Sequence, residues 1–243
     1  MDYEQEMEEY SERHMSRGRK TFRRCVKYLV RTVVFLIIAL LLWRVFWSDR
    51  VPRSMRVLLV NDATYQAYLA GDGTLNMYTQ PQDKLIVNGD AAGYFWVSQA
   101  VIIPKADQIQ VLVRYNNSTL RSMATDFKLD SVPSREENVL DVTLRVQLNG
   151  EDENGEGSTV RYHASAEPIS DSTSMYNYRK YVFDGVTVDD LTHAVWVDFY
   201  YIDRVNYEKV PYGTLLIYDD ESENQALKMS TADQKALAEY GKR

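Results

Sequence analysis

The feature that most constrains this 243-residue chain is a hydrophobic run near its N-terminus. The uncharged stretch of residues 32–43 is only 12 residues long, and extending it to Tyr28–Trp47 gives 20 residues with two charges, Arg31 and Arg44. Each arginine lies within four residues of an end, where a long side chain reaches the headgroups at modest cost. Twenty helical residues rise about 30 Å, the thickness of a bilayer core. The run therefore predicts one transmembrane helix over residues 28–47.

The two ends of this run carry the aromatic and basic side chains that membrane interfaces attract. The interface residues that we predict are Arg31, Trp43, Arg44 and Trp47. Bulky and basic residues follow the run, so a cleavage site is not expected and an uncleaved signal anchor is favoured. A lipoprotein anchor would place a cysteine after the run, whereas Cys25 precedes it. A buried core helix is the remaining alternative, and the flanking charges argue against it.

Basic residues flank the run unequally. Seven lie on its N-terminal side, between Arg17 and Arg31. The four on its C-terminal side are Arg44, Arg50, Arg53 and Arg56. Because Lys and Arg are enriched on the cytoplasmic side of a span, we predict a single-pass cell-membrane protein. Its tail (residues 1–27) is expected in the cytoplasm and its C-terminal domain outside, although four basic residues on the outer side are more than this rule favours.

The chain after the run is acidic and contains no cysteine. From Val57 to Arg243 it carries 16 Lys and Arg against 28 Asp and Glu, a formal balance of −12. An acidic domain repels a phosphate backbone, so we expect no nucleic acid among its partners. A domain of this size without disulfides is more typical of a bacterial envelope protein than of a eukaryotic secreted one. We therefore expect a bacterial cell-envelope location.

Alternating hydrophobic residues from residue 74 onward predict β-strands. Residues 140–148 alternate Leu or Val with polar residues, and residues 109–115 and 160–166 repeat the pattern. Such alternation is typical of half-buried strands. Seven to nine short strands separated by turns indicate an all-β fold. We predict an antiparallel β-sandwich, immunoglobulin-like or similar, over residues 74–220.

Two further segments flank this predicted sandwich. Residues 48–73 form a juxtamembrane linker and first element, in which 55–70 fits either a strand or a helix that ends at Gly71. Residues 221–243 form an acidic tail with a helix over Thr231–Tyr240, either docked on the domain or frayed. Its cap is predicted to be Ser230 or Thr231, and its apolar stripe to be Met229, Ala232, Ala236 and Tyr240.

The sequence motifs of catalysis and cofactor binding are missing. The chain has no phosphate-binding loop and no G-x-S-x-G elbow. In the acidic domain only His163 and His193 could supply imidazole, and no cysteine accompanies them. Asp152, Asn154 and Glu156 alternate in a predicted hairpin loop as calcium ligands do, but their glycine falls at the wrong place for a calcium loop. We therefore expect no catalytic residue, no cofactor and no metal site.

The predicted strand His193–Ile202 carries the best candidate for a contact surface. Trp196, Asp198 and Tyr200 alternate on one face, and the opposite face is apolar. If the first face is exposed, two rings that flank a carboxylate form a platform for a glycan or a protein partner. If it is covered, the strand is central in the sandwich and its buried aspartate needs a partner.

These observations favour a non-catalytic, membrane-anchored binding or scaffold module of a bacterial envelope assembly. Its expected partners are the lipid bilayer and either an envelope protein or a wall polymer. The main alternative is a single-pass receptor that passes an external signal to a cytoplasmic partner through residues 1–24. A wall-active hydrolase is a third alternative, because two carboxylates across a cleft suffice for that chemistry.

Overall fold

One uninterrupted helix, α1 (Arg17–Trp43), forms the N-terminal part of the structure, a computed structural model of the chain. The structure describes residues 17–43, 51–79, 84–88, 91–151, 157–202, 208–220 and 225–243. The chain divides into two units, residues 1–50 and residues 51–243.

Helix α1 has the length and the composition of a membrane span. Within Thr21–Trp43 its mean hydropathy reaches 2.3, and none of that stretch is buried inside the protein. Arg31 and Trp43 both lie on α1 with exposed side chains, whereas Arg44 and Trp47 lie outside the described residues. Helices of this kind serve as single-pass anchors or as signal sequences, so α1 fits the predicted anchor.

The second unit is built mainly of β-strands. Its helices are α2 (Arg53–Arg56), α3 (Asp62–Ala70), α4 (Asn117–Asp126) and α5 (Thr231–Tyr240), and a 3-10 turn covers Pro104–Ala106. Its described strands are β1 (Met77–Thr79), β2 (Lys84–Asn88), β3 (Ala91–Ile103), β4 (Gln108–Asn116), β5 (Leu140–Glu151), β6 (Gly157–His163), β7 (Ile169–Ser172), β8 (Tyr176–Asp184), β9 (Thr192–Ile202), β10 (Lys209–Asp219) and β11 (Gln225–Leu227).

These strands form two antiparallel sheets. The larger has the order β11-β1-β3-β4-β8-β7, with β2 also paired to β3, and the smaller has the order β10-β9-β5-β6. Strand β3 is long enough to pair with β2 near its start and with β1 near its end, where Tyr78 lies opposite Ile102. Strands β5 and β6 pair as the predicted hairpin does. The antiparallel two-sheet prediction is confirmed.

The two sheets share one apolar core, as a sandwich does. The inward side chains of β4, β5 and β9 are those that the alternation predicts, and each is at most 2% exposed. They are Ile109, Val111, Val113, Tyr115, Leu140, Val142, Leu144, Val146, Val195, Val197, Phe199 and Tyr201. Full burial of a large apolar side chain contributes about 1.5–3 kcal/mol, so this core is the main stabilising feature of the domain.

A layer of helices covers the other face of the larger sheet. Val101 and Ile103 of β3 point away from the sandwich core into a second apolar cluster, which also contains Leu58, Ala67 of α3 and Leu237 of α5. Because both faces of the larger sheet are covered, its central strands are buried on both sides. The sequence patterns do not predict this third layer.

The segment 55–70, which fitted either a strand or a helix, is neither throughout. Helix α2 ends at Arg56, an irregular stretch follows, and α3 begins after Asn61, whose side chain accepts a hydrogen bond from the backbone N–H of Thr64. Such a cap satisfies an N–H that would otherwise have no partner. Helix α3 ends at Ala70 with Gly71 as its cap, where the helical alternative ended, and a Cβ on Gly71 would lie only 2.3 Å from the carbonyl oxygen of Thr74.

Helix α5 is docked on the domain, which decides between the two predicted alternatives. Ser230 caps it by accepting a hydrogen bond from the N–H of Asp233, in a capping box. Its most buried residues are Asp233 and Leu237, each one position after the alanines of the predicted stripe. The Tyr240 hydroxyl donates to Asp62 Oδ1 at 2.7 Å and ties the end of α5 to α3.

Side chains of the sheet and of α5 hold residues 57–61, which we call the clamped segment. Lys180 Nζ donates to the carbonyl oxygen of Val57 at 2.5 Å, and the N–H of Leu58 donates to Asp233 Oδ1 at 2.8 Å. The Gln110 amide accepts from the N–H of Leu59 at 3.0 Å and donates to its carbonyl oxygen at 2.8 Å. The clamped segment thus obtains from side chains the hydrogen bonds that a neighbouring strand would supply.

Lys180 is the buried cation of this arrangement, with 5% of its surface exposed. Burial lowers the pKa of its ammonium group to about 8, because a charge loses hydration in the protein interior, and the nearby Asp233 carboxylate partly opposes this shift. The amine is therefore mainly charged at neutral pH and donates to Val57 in that form.

Candidate binding face

The outer side of the smaller sheet brings together polar side chains from three neighbouring strands. Asp198, at the middle of β9, lies opposite Thr143 of β5 on one side and opposite Thr214 of β10 on the other. We call this surface the binding face, and its residues are Asp141, Thr143, Arg145, Trp196, Asp198, Tyr200, Thr214 and Leu216. The predicted trio of Trp196, Asp198 and Tyr200 is at its centre.

The Asp198 carboxylate is almost covered, with 8% of the residue exposed, and both of its oxygens are used. Arg145 Nε donates to Oδ2 at 3.1 Å, and an Arg145 terminal nitrogen donates to Oδ1 at 3.3 Å. The Thr214 hydroxyl donates to Oδ1 at 2.6 Å. A carboxylate with this many donors orients its neighbours, and the two-point contact fixes the plane of the guanidinium.

Trp196 lies under the same arginine. The guanidinium carbon of Arg145 is 4.6 Å from the centre of the indole ring, a cation–π distance. One ring face is therefore occupied from within the protein, and the ring is only partly exposed. The face of β9 that carries Trp196 is therefore intermediate between the two alternatives, an exposed platform and a covered central strand.

Tyr200 is also partly exposed and lies opposite Asp141 of β5. Lys209 Nζ lies 2.6 Å from Asp141 Oδ2 and adds a second ion pair beside the ring. Thr143 lies between Asp141 and Arg145 on β5 and is 4% exposed, and its hydroxyl has no hydrogen-bond partner among the described residues. The binding face thus pairs two partly exposed rings with fixed charges and one unsatisfied hydroxyl.

Two of the three tyrosines of strand β8 are buried in the packing, and the third, Tyr176, is partly exposed. Tyr178 and Tyr181 of β8 are 0% and 2% exposed, and Tyr176 lies under Arg114, whose guanidinium carbon is 4.9 Å from the ring centre. Burial raises the pKa of Tyr181, because phenolate would be poorly solvated there.

The residues considered for metal binding do not converge. Among the residues that the structure describes, no group of three or more His, Cys, Asp and Glu could hold an ion. His163 is exposed at the end of β6, and His193 Nδ1 lies 2.9 Å from Asp220 Oδ1. The alternating acids Asp152 and Glu156, together with Asn154, lie outside the described residues.

Arg145, Thr214 and Lys209 also belong to this site, and no sequence pattern identified them. Arg145 was assigned to a solvent face by alternation, which was correct, but alternation carries no information on which residue of another strand it meets. The pairing of Arg145 with Trp196 and of Thr214 with Asp198 comes from the register of three strands. The sequence shows only that a cation and an aromatic residue each lie on the polar face of a strongly alternating strand.

Comparison of the chain with known proteins finds no matching family and no match among curated proteins or solved structures.

Proposed function

We propose that the chain is a membrane-anchored extracytoplasmic binding or scaffold module of a bacterial envelope assembly, without catalytic activity. The observation that carries the proposal is the binding face, where Trp196 and Tyr200 are held beside the Arg145–Asp198 pair. Partly buried aromatic and arginine side chains dominate the energy of protein contacts, and rings fixed in advance lose little entropy on binding. An envelope protein or a wall polymer is the partner this face supports.

The packing of residues 51–61 supports a scaffold role. Met55 is 1% exposed and Leu58 7% exposed, and the clamped segment is bonded to buried side chains. Seven residues separate Trp43 from Val51 in the sequence. Residues 51–61 are therefore part of the folded domain, which favours a rigid module that displays a binding surface.

The double substitution Trp196→Ala, Tyr200→Ala is expected to abolish partner recovery. A photo-crosslinking residue at the exposed Pro211, which lies opposite Tyr200, would be used in living cells, together with sedimentation of the purified protein on cell-wall material. Loss of two hot-spot rings costs about 2–4 kcal/mol each in contacts of this type, a drop of tenfold or more in recovery. The matched control is Trp96→Ala, because Trp96 also lies near an arginine (Arg114, 5.8 Å) but on the larger sheet. Equal recovery from both variants would contradict the role of the binding face.

The outward orientation of the domain is part of the proposal and rests on the excess of basic residues before the span. A cysteine introduced at the exposed Ser118 is expected to react with a membrane-impermeant maleimide added to intact cells, while the native Cys25 does not. Labelling of Cys25 alone would show that the domain lies on the cytoplasmic side.

The immunoglobulin-like grouping of the sandwich likewise stays a proposal, supported by its two facing antiparallel sheets.

A further inference from the structure

A groove of about 500 Å³ opens on the helical side of the domain, away from the binding face. One wall is the stretch from Arg53 to Leu58, and the other is the stretch from Leu227 to Lys235. Leu58 and Val101 form its floor and are 7% and 5% exposed. Its volume is within the range of small-ligand sites, about 300–1,000 Å³.

Four basic side chains line the groove around this apolar floor. Arg53, Arg56, Lys228 and Lys235 all line the groove with exposed side chains, and we call the site the cationic groove. Lys235 lies 3.7 Å from Glu239, while Arg53, Arg56 and Lys228 have no ion pair among the described residues. The described side chains that line the groove therefore carry an excess of positive charge, although residues 57–243 have a formal balance of −12.

Asp233 is the one acidic side chain among the described residues that line the groove, and one carboxylate does not balance four cations. Asp233 Oδ1 accepts from the N–H of Leu58, and Asp233 Oδ2 accepts from the N–H and the hydroxyl of Ser230. Both oxygens are thus used inside the fold. An incoming anion meets guanidinium and ammonium groups whose charge is still available.

The same groove accounts for a feature of the sequence that the anchor leaves unexplained. Arg53 and Arg56 are two of the four basic residues on the side of the span where such residues are disfavoured. In the structure both line the cationic groove. A binding role would explain why these two arginines occur on the side of the span where basic residues are usually rare.

We propose that the cationic groove binds the phosphodiester headgroup of an anionic phospholipid. The planar forks of two arginines match phosphate oxygens, and the apolar floor suits the glycerol end of an amphiphile better than a bare ion. Arg53 follows Trp43 by ten residues in the sequence, so the bilayer that would hold the anchor is the lipid source we infer, and this choice of source rests on the proposed anchoring. The binding face plays no part in this interaction.

The test uses the full chain in a neutral detergent and two short-chain probes, dihexanoyl-phosphatidylglycerol and dihexanoyl-phosphatidylcholine, titrated by native mass spectrometry. The anionic lipid is expected to bind at least tenfold tighter. The variant R53Q/R56Q/K228Q is expected to lose at least tenfold in affinity for it, and this loss should shrink as salt rises. The matched control K105Q/R121Q/R161Q removes three exposed cations elsewhere and should stay within twofold.

Other outcomes overturn the proposal. Equal affinity for the two lipids would show that the protein does not select the anionic headgroup. Unchanged affinity of the R53Q/R56Q/K228Q variant would show that other cations, such as those of α1, bind the lipid. If free glycerol phosphate competes for the groove as strongly as the anionic lipid does, the ligand need not come from a lipid. If a deca-glutamate peptide binds more tightly than the lipid, the groove is a site for acidic protein segments. All substituted residues are exposed, and an unchanged unfolding midpoint confirms that each variant is folded. The W196A/Y200A variant should keep its lipid affinity, which separates this proposal from that of the binding face.

Discussion

Replacing Lys180 with methionine is expected to remove the stability that deprotonation of this buried lysine adds above pH 8. In the folded domain the pKa of Lys180 is lowered from 10.5 to about 8, so between these pH values the unfolded chain binds more protons than the folded one. Stability then increases with pH, because the burial penalty of the charge is relieved as the amine loses its proton. Integration over this shift gives about 2 kcal/mol between pH 8 and pH 10.

The measurement is the unfolding free energy of the full chain in detergent at several pH values, from urea titrations followed by tryptophan fluorescence. Burial raises the pKa of Tyr115, Tyr181 and Tyr212, so these residues destabilise the fold as pH rises through about 10. Because they are common to both proteins, the difference between the natural protein and K180M isolates the lysine. That difference should grow by about 2 kcal/mol over the range.

Lys105→Met is the matched control, since Lys105 is exposed and its replacement should leave the pH profile unchanged. At neutral pH, K180M also leaves the carbonyl oxygen of Val57 without its donor, which costs about 1–3 kcal/mol. A constant difference between the natural protein and K180M from pH 8 to pH 10 would show that the lysine is solvated in the folded state.

The second large effect is expected from Leu237→Ala in helix α5. Leu237 is 0% exposed within the second apolar cluster, and removal of a fully buried leucine side chain costs about 2–5 kcal/mol from lost burial and the cavity left behind. The matched control is Leu191→Ala, because Leu191 is 63% exposed and the same chemical change should cost less than about 0.5 kcal/mol. Urea titrations as above measure both.

A cost for L237A as small as that for L191A would mean that α5 is not held on the sheet in solution. It would also mean that the clamped segment lacks one of its hydrogen bonds in solution, because Asp233 of α5 accepts a hydrogen bond from the N–H of Leu58. L237A therefore tests the docking of α5 and the third layer of the domain together.

Local patterns predicted the parts of this fold that local chemistry controls. Alternation located the inward residues of β5 and β9, and the Ser230 cap located the start of α5. The third layer escaped prediction because its signals are non-local. Gln110 and Lys180 occur within strands, where polar residues usually face solvent, and only the packing of residues 57–61 across those strands gives them buried partners.

For the candidate site too, the sequence predicted the face on which residues lie but not their partners on other strands. Period-two alternation placed Trp196, Asp198 and Tyr200 on one face, and the structure brings them together there. The partners Arg145 and Thr214 are 53 and 16 residues from Asp198 in the sequence. Strand register decides these meetings, and register depends on the summed packing of both sheets rather than on any short motif.

The clamped segment determines how the domain would respond to mechanical tension. Its hydrogen bonds reach β4 through Gln110 and β8 through Lys180, and both strands are interior to the larger sheet. A pull applied through residues 51–56 would therefore be shared among several bonds to the middle of the sheet instead of peeling an edge strand one bond at a time. Residues 51–56 are therefore expected to resist detachment from the domain in shear, the direction in which the proposed anchor would load them.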